Sequence, residues 1–165
     1  MTAAKGMDLD LPCGVFYNLN NVILDLNGTI TVDGKMLEGV CERLKEISKA
    51  LDVYIVTADT NETMDSLAKD LSSKCNIKIH RLETGRGDLQ KLAFLEELGR
   101  ENTVAIGNGC NDALMLKESA LGICIMGKEG TSVNALLASK VAFFDICDAL
   151  DIFLKPNRLI ATLRK

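Results

Sequence analysis

The run Val22-Ile23-Leu24-Asp25-Leu26-Asn27-Gly28-Thr29 sets one acid at the end of an apolar stretch, immediately before a glycine turn. An ionised carboxylate there is costly to desolvate unless a cation or a ring of donors receives it, so the residue reads as part of a site rather than as packing. Three further segments supply what a carboxylate engaged in phosphoryl chemistry needs. Thr57 ends a second apolar run, Lys91 lies on an amphipathic stretch, and Gly107-Asn108-Gly109-Cys110-Asn111-Asp112 follows a third run. Asp25 is the candidate nucleophile, able to form an acyl-phosphate and so split one difficult displacement into two. Two anions must approach each other, which calls for a hard cation, and the oxygen-rich Asp25, Asn108 and Asp112 suit Mg²⁺. Amides of Gly28 and Thr29, the Thr57 hydroxyl and Lys91 are placed to hold the remaining phosphoryl oxygens.

Each of these has a structural alternative. Thr57 with Ala58-Asp59-Thr60 could cap a helix starting near Asn61. Lys91 alone could be a solvated helix residue, and the loop ending in Asn111-Asp112 could be a turn plus an N-cap. Asp33-Gly34 reads as a turn in the flap after the first strand. His80, alternating with Ile77, Ile79 and Leu82, reads as a solvent-facing strand residue.

The elements that must carry these residues alternate between strand and helix, the signature of an α/β fold with a mostly parallel sheet. Strands are expected at 22–26, 53–57, 76–82, 103–107, 121–126 and 140–144. Helical spacing recurs in Leu37, Val40, Cys41, Leu44, Ile47 and Leu51, in Met64, Leu67, Ala68 and Leu71, and in Leu89, Leu92, Ala93 and Leu98. Val15-Phe16-Tyr17 forms an added strand or hairpin, and a final helix follows Pro156 with Leu159, Ile160 and Leu163 inward. In a doubly wound order 3-2-1-4-5-6, strands one and four are neighbours, and Asp25, Thr57 and the 107–112 loop converge at the switch point. The 165 residues suit one domain spanning 1–165, with its core at about 20–145 and C-terminal helices at 146–165.

A net charge of −4, without a basic block, gives no electrostatic support for a nucleic-acid or membrane-surface role. The cysteines (Cys13, Cys41, Cys75, Cys110, Cys124 and Cys147) show no Cys-x-x-Cys pair, which argues against a zinc site and against a disulfide framework. With no signal-peptide pattern and no apolar run of membrane-spanning length, a reduced, cytoplasmic protein is expected.

Asp25-Leu26-Asn27-Gly28-Thr29, the Val56-Thr57-Ala58-Asp59 strand end, Lys91 and Gly107-Asn108-Gly109-Cys110-Asn111-Asp112 together resemble the four motifs of the haloacid dehalogenase-like (HAD) superfamily, over roughly residues 20–145. Asp-x-Asn-Gly-Thr-Ile-Thr is similar to the Asp-Lys-Thr-Gly-Thr-Leu-Thr of P-type ATPases, and Gly-Asn-Gly-Cys-Asn-Asp-Ala to their Gly-Asp-Gly-x-Asn-Asp-Ala. Without a membrane helix or nucleotide-binding insertion, the chain looks like the soluble P-type-ATPase-like group. The resemblance implies a three-layer Rossmann-like sandwich and a Mg²⁺-dependent phosphatase. It implies Asp25 as nucleophile, Mg²⁺ held by the Asp25 carboxylate, the Asn27 main-chain carbonyl and the Asn108–Asp112 loop, and phosphate held by Thr57, Ala58 and Lys91. Two positions depart from the pattern. Asn27 stands where phosphatases of the superfamily carry a second Asp as general acid and base, and Asn108 replaces a metal-binding Asp. Losing general acid–base help typically costs ~10²–10⁴ in rate, so slow turnover is expected. A non-catalytic, phosphate-responsive or regulatory protein is the alternative. The spacing leaves no room for a cap domain, which implies large, exposed phosphorylated substrates or a homo-oligomer in which a neighbouring subunit serves as the lid.

Overall fold

The computed structural model describes residues 5–12, 14–59 and 62–165, with the side chains of 62–64 excluded. Cys13, residues 60–61 at the expected helix start, and the Met64 side chain therefore lie outside the described set.

Period-two burial opens the chain. In β1 (Met7–Leu11) and β2 (Val15–Leu19), Leu9, Leu11, Tyr17 and Leu19 are buried and their neighbours exposed, as a hairpin with one covered face requires. The continuous apolar run predicted for strand one is β3 (Asn21–Asp25), central and covered on both faces. A small flap follows, made of β4 (Thr31–Val32) and β5 (Lys35–Met36). Its two-residue turn, Asp33-Gly34, has φ of 50° and 72°, the positive pair that a tight hairpin needs. Next come α1 (Val40–Ile47), β6 (Asp52–Thr57), α2 (Glu62–Cys75), β7 (Lys78–Arg81) and α3 (Gly87–Leu98). β8 (Thr103–Gly107), α4 (Ala113–Glu118), β9 (Leu121–Ile125), α5 (Val133–Ala138), β10 (Val141–Phe143), α6 (Ile146–Leu154) and α7 (Asn157–Leu163) complete the chain.

Six strands form one parallel sheet in the spatial order β10-β9-β8-β3-β6-β7. Counted among themselves this is 3-2-1-4-5-6, so β3 and β8 are neighbours at the switch point as expected. Alternate residues of β3 serve different layers. Val22 and Leu24 pack with α1, α2, α6, α7 and the β1–β2 hairpin, whereas Ile23 packs with Phe94, Leu95, Met115 and Leu116 of α3 and α4. Asp25 shares the parity of Ile23 and so leaves the sheet toward α3.

Three expectations are corrected. On α3 the buried face is Lys91, Phe94 and Leu95, with Leu92 and Leu98 only partly covered, while Leu89 is exposed and Ala93 faces outward. The helix is rotated because its charged residue is the one drawn inward. His80 is not simply solvent-facing, since its ring stacks on Phe94 with centroids 3.9 Å apart. Cys41 of α1 and Cys75 of α2 are joined as a disulfide, which scattered spacing could not reveal because the two helices meet only in the folded layer. No helix among the described residues is long and apolar enough to cross a membrane.

Candidate active site

The site is organised around a buried lysine. Lys91, 1 % exposed, donates to Asp25 Oδ1 at 2.5 Å and to Asp112 Oδ1 at 2.6 Å. An ammonium can be dehydrated in this way only when anions replace its water, and two carboxylates do so here. Burial opposes the Lys91 charge, but Asp25 and Asp112 outweigh it and hold its pKa above the ordinary lysine value. With two acids to one base, the trio carries an excess negative charge when fully ionised. Asp25 bears that strain. Burial first, and the Asp112 charge second, push its pKa from 3.8 up to about 6, against the pull of Lys91.

The loop after β3 is shaped by hydrogen bonds to itself. Leu26 O accepts from the N–H of Thr29, Ile30 and Thr31 at 3.3, 3.0 and 3.2 Å, and Gly28 N donates to Thr31 O at 3.0 Å. Gly28 has φ 77°, and a Cβ there would sit 2.4 Å from Asn108 Nδ2, so both backbone and space exclude a side chain. This corrects the phosphate-binding assignment of the Gly28 and Thr29 amides, which are consumed in closing the turn. Thr29 acts through its side chain instead. Its buried Oγ1 lies 3.3 Å from Asp25 Oδ2 and 3.1 Å from Asn108 Oδ1.

Asn108 Nδ2 in turn donates to Gly130 O at 3.1 Å, so this side chain ties the strand-one loop to the loop after β9. A second tie lies nearby, where Asp33 N donates to Glu129 Oε1 at 2.8 Å and fastens the flap. Asp112 is fully buried, and its Oδ2 accepts from the N–H of Asn108 and Gly109 at 3.1 and 2.9 Å. Gly107 makes the fold-back possible, since a Cβ there would meet Asp112 Cγ at 2.5 Å.

An open cleft of about 210 Å³ lies beyond the strand ends, lined by Asp25, Asn27, Thr57, Ala58, Asp59, Lys91, Asn108, Gly109 and Asn111. Six of the residues expected from the sequence meet there: Asp25, Asn27, Thr57, Ala58, Lys91 and Asn108. Gly28, Thr29 and Asp112 stand behind them. Asp59 and Asn111 line the cleft without having been expected as site residues. The signal for both was their place inside the second and fourth motifs, where a capping or turn role was an equally good reading. Thr57 Oγ1 accepts the N–H of Asp59 at 3.0 Å, which leaves its own proton to donate into the cleft.

Among the described residues no three His, Cys, Asp or Glu side chains converge as a metal cluster. A hard cation would therefore depend on a mixed oxygen set. Thr29 Oγ1 within reach of both Asp25 Oδ2 and Asn108 Oδ1 holds those oxygens on one side, and with Asn27, which also lines the cleft, they are the residues that would hold such an ion. This donor set fits Mg²⁺, with a single carboxylate charge. Asp112, expected as a metal ligand, stands behind this set with Oδ1 bonded to Lys91 and Oδ2 to two backbone N–H groups.

Solved structures share this fold. The 3-deoxy-D-manno-octulosonate 8-phosphate phosphatase of Moraxella catarrhalis, in complex with magnesium, phosphate and KDO, superposes with a TM-score of 0.65 at 13 % identity, covering 88 % of this chain and 94 % of that one. A putative HAD family hydrolase from Streptomyces avermitilis gives 0.65 at 19 % identity, covering 84 % and 87 %. The cobalt-bound octulosonate 8-phosphate phosphatase of Haemophilus influenzae gives 0.63 at 12 % identity, covering 89 % and 94 %. The α/β sandwich is thus the fold found in HAD-superfamily phosphatases. No protein-family model matches the chain.

Two curated archaeal sequences are more similar. The uncharacterized protein MJ0073 of Methanocaldococcus jannaschii is 47 % identical over 92 residues, 53 % of this chain and 99 % of that protein. MJ0072 of the same organism is 54 % identical over 41 residues, 25 % of this chain and 93 % of that protein. The chain belongs to the family of these archaeal proteins.

Proposed function

We propose that this chain is a Mg²⁺-dependent phosphoryl-transfer enzyme, a phosphatase acting on a phosphomonoester or acyl phosphate through an aspartyl-phosphate on Asp25. The observation that carries the reading is Asp25 at the carboxyl end of the central strand, bonded to a buried lysine that is itself anchored by a buried acid. A merely structural role gives no reason to bury two acids and a base at a sheet switch point beside an open cleft. The fold shared with octulosonate phosphatases, one of them holding magnesium and phosphate, supports the same reading.

In this mechanism the Asp25 carboxylate attacks phosphorus, and the ester or acyl oxygen leaves. Lys91 and the Thr57 hydroxyl neutralise and orient the phosphoryl oxygens from two sides. Asp25, Asn27 and Asn108 would hold Mg²⁺, which would supply the charge that lets one anion approach another. Water then cleaves the acyl-phosphate. Asn27 exchanges no proton and so gives neither the leaving oxygen nor the attacking water acid–base help.

The test is Mg²⁺-dependent phosphate release across a panel of phosphate esters and acyl phosphates, comparing wild type with Asp25→Asn. Loss of the nucleophile is expected to lower turnover by about 10⁴-fold or more. Turnover that survives the substitution overturns the reading.

A second reading has its own observation. Asn27 and Asn108 both carry neutral amides where acids are expected, which suits a regulatory protein that binds phosphate and metal without turning over. Binding of phosphate analogues without release of phosphate from any substrate would favour it. The cleft is capless, and Val133, Leu137 and Phe144 are exposed by 67 %, 79 % and 80 %, which supports a homo-oligomer whose neighbour covers the cleft. A monomer by light scattering across a concentration range counts against that lid.

A further inference from the structure

Hydrolysis of an alkyl phosphate needs a proton for the leaving oxygen and a base for the incoming water. At the cleft the obvious groups are excluded one by one. Asn27, Asn108 and Asn111 are amides and exchange no proton under these conditions. Lys91 is fully buried between two carboxylates and stays charged. Asp112 lies behind the cleft with both oxygens bonded. Asp25 is consumed as nucleophile. Of the described residues lining the cleft, the remaining titratable one is Asp59.

Asp59 is also well held. Its N–H donates to Thr57 Oγ1 at 3.0 Å, and its carbonyl accepts from Arg81 at 3.2 Å, so its main chain is fixed on the β6 side of the cleft, beside a group that grips phosphate. Its side chain is half-buried, within reach of solvent water. That is the environment a proton-exchanging group needs, unlike the sealed one around Lys91.

Building on the phosphatase reading, we infer that Asp59 is the general acid and base of this site, supplying from the second strand the carboxyl group missing at position 27. In the first step Asp25 forms a bond to phosphorus, the phosphorus–oxygen ester bond breaks, and protonated Asp59 gives its proton to the departing oxygen. The products are the alcohol, the acyl-phosphate and the Asp59 carboxylate. In the second step that carboxylate takes a proton from water as the hydroxyl oxygen bonds to phosphorus and the acyl-phosphate bond breaks. Hydrogen phosphate leaves, the Asp25 carboxylate is restored, and Asp59 is protonated again. No other reactant is required.

The experiment measures phosphoenzyme formation in single turnovers with Mg²⁺, from an alkyl phosphate and from p-nitrophenyl phosphate, whose leaving group needs no proton. Wild type, Asp25→Asn, Asp59→Asn and the double variant Asp59→Asn with Asn27→Asp are compared. Asn matches Asp in size and in capping a helix, so Asp59→Asn removes the exchangeable proton and keeps the local fold. The expected result is a loss of ~10²–10⁴-fold on the alkyl ester and less than about tenfold on the nitrophenyl ester, with the alkyl-ester rate recovered in the double variant. An equal loss on both substrates, or none on either, overturns the role of Asp59. Failure of the phosphatase reading looks different: wild type and Asp25→Asn then behave alike on both esters, and the inference falls with it.

Discussion

The two walls of the cleft are built on opposite principles. On the α3 and β8 side, Lys91 and Asp112 are 1 % and 0 % exposed, and every carboxylate oxygen of Asp112 is bonded. On the β6 side, Thr57 offers a hydroxyl with a free proton, and Asp59 meets solvent. The first wall sets a fixed electrostatic field, and dehydration strengthens it. The second wall provides groups that exchange protons and hydrogen bonds with whatever enters. A charge that must not move is placed where water cannot reach, and a proton that must move is placed where water can.

This contrast can be broken most severely at Lys91. Lys91→Met leaves Asp25 and Asp112 buried together without a cation, and a loss of about 3–5 kcal/mol in urea unfolding is expected. The opposite wall should respond in the opposite way. Thr57→Val is expected to lower phosphoryl transfer by ~10²–10³ as a hydroxyl donor is removed, with a stability loss of only about 1–2 kcal/mol from the lost bond to the Asp59 N–H. A large stability loss at Thr57, or a small one at Lys91, would erase the distinction between the walls.

The subtlest effect is the pH dependence carried by Asp25. Its folded pKa of about 6 exceeds its ordinary 3.8, so the folded protein holds this proton more tightly than the unfolded chain. The stability this contributes is fully present below about pH 4 and is lost as pH rises through about 6. Asp25→Asn should therefore unfold at a higher temperature than metal-free wild type above pH 7, by up to about 3 kcal/mol, with the difference vanishing near pH 4. Thermal melts of both proteins across this range, in chelator, measure it. A difference independent of pH would assign the strain to something other than ionisation.

Much of the fold was legible in the sequence because its signals are local and redundant. All six sheet strands fall within two residues of the expected limits at every end, since each is an apolar run bounded by turn residues. Their order is the common one for a doubly wound sheet, which the alternation of strands and helices implies. What escaped prediction depends on which atom meets which. The Gly28 and Thr29 amides look available in sequence, yet the turn that positions Asp25 consumes them. Asp112 has the composition of a metal ligand, and only the fold-back under Gly107 shows both its oxygens engaged. The inward rotation of α3 contradicts hydrophobic periodicity, which counts Lys91 as polar and has no means of seeing the two acids that await it.

Lys91 reaches Asp25 across 66 residues of chain and Asp112 across 21, from opposite directions. No contiguous fragment shorter than most of the sheet contains the three, and the ammonium cannot shed its water until both acids are in place. Dehydration of this lysine must then follow the docking of β3, α3 and β8, late on the folding route where long-range contacts are made. A chain caught halfway keeps Lys91 wet and its site unformed. Protection of that one amine from chemical labelling would thus report completed folding.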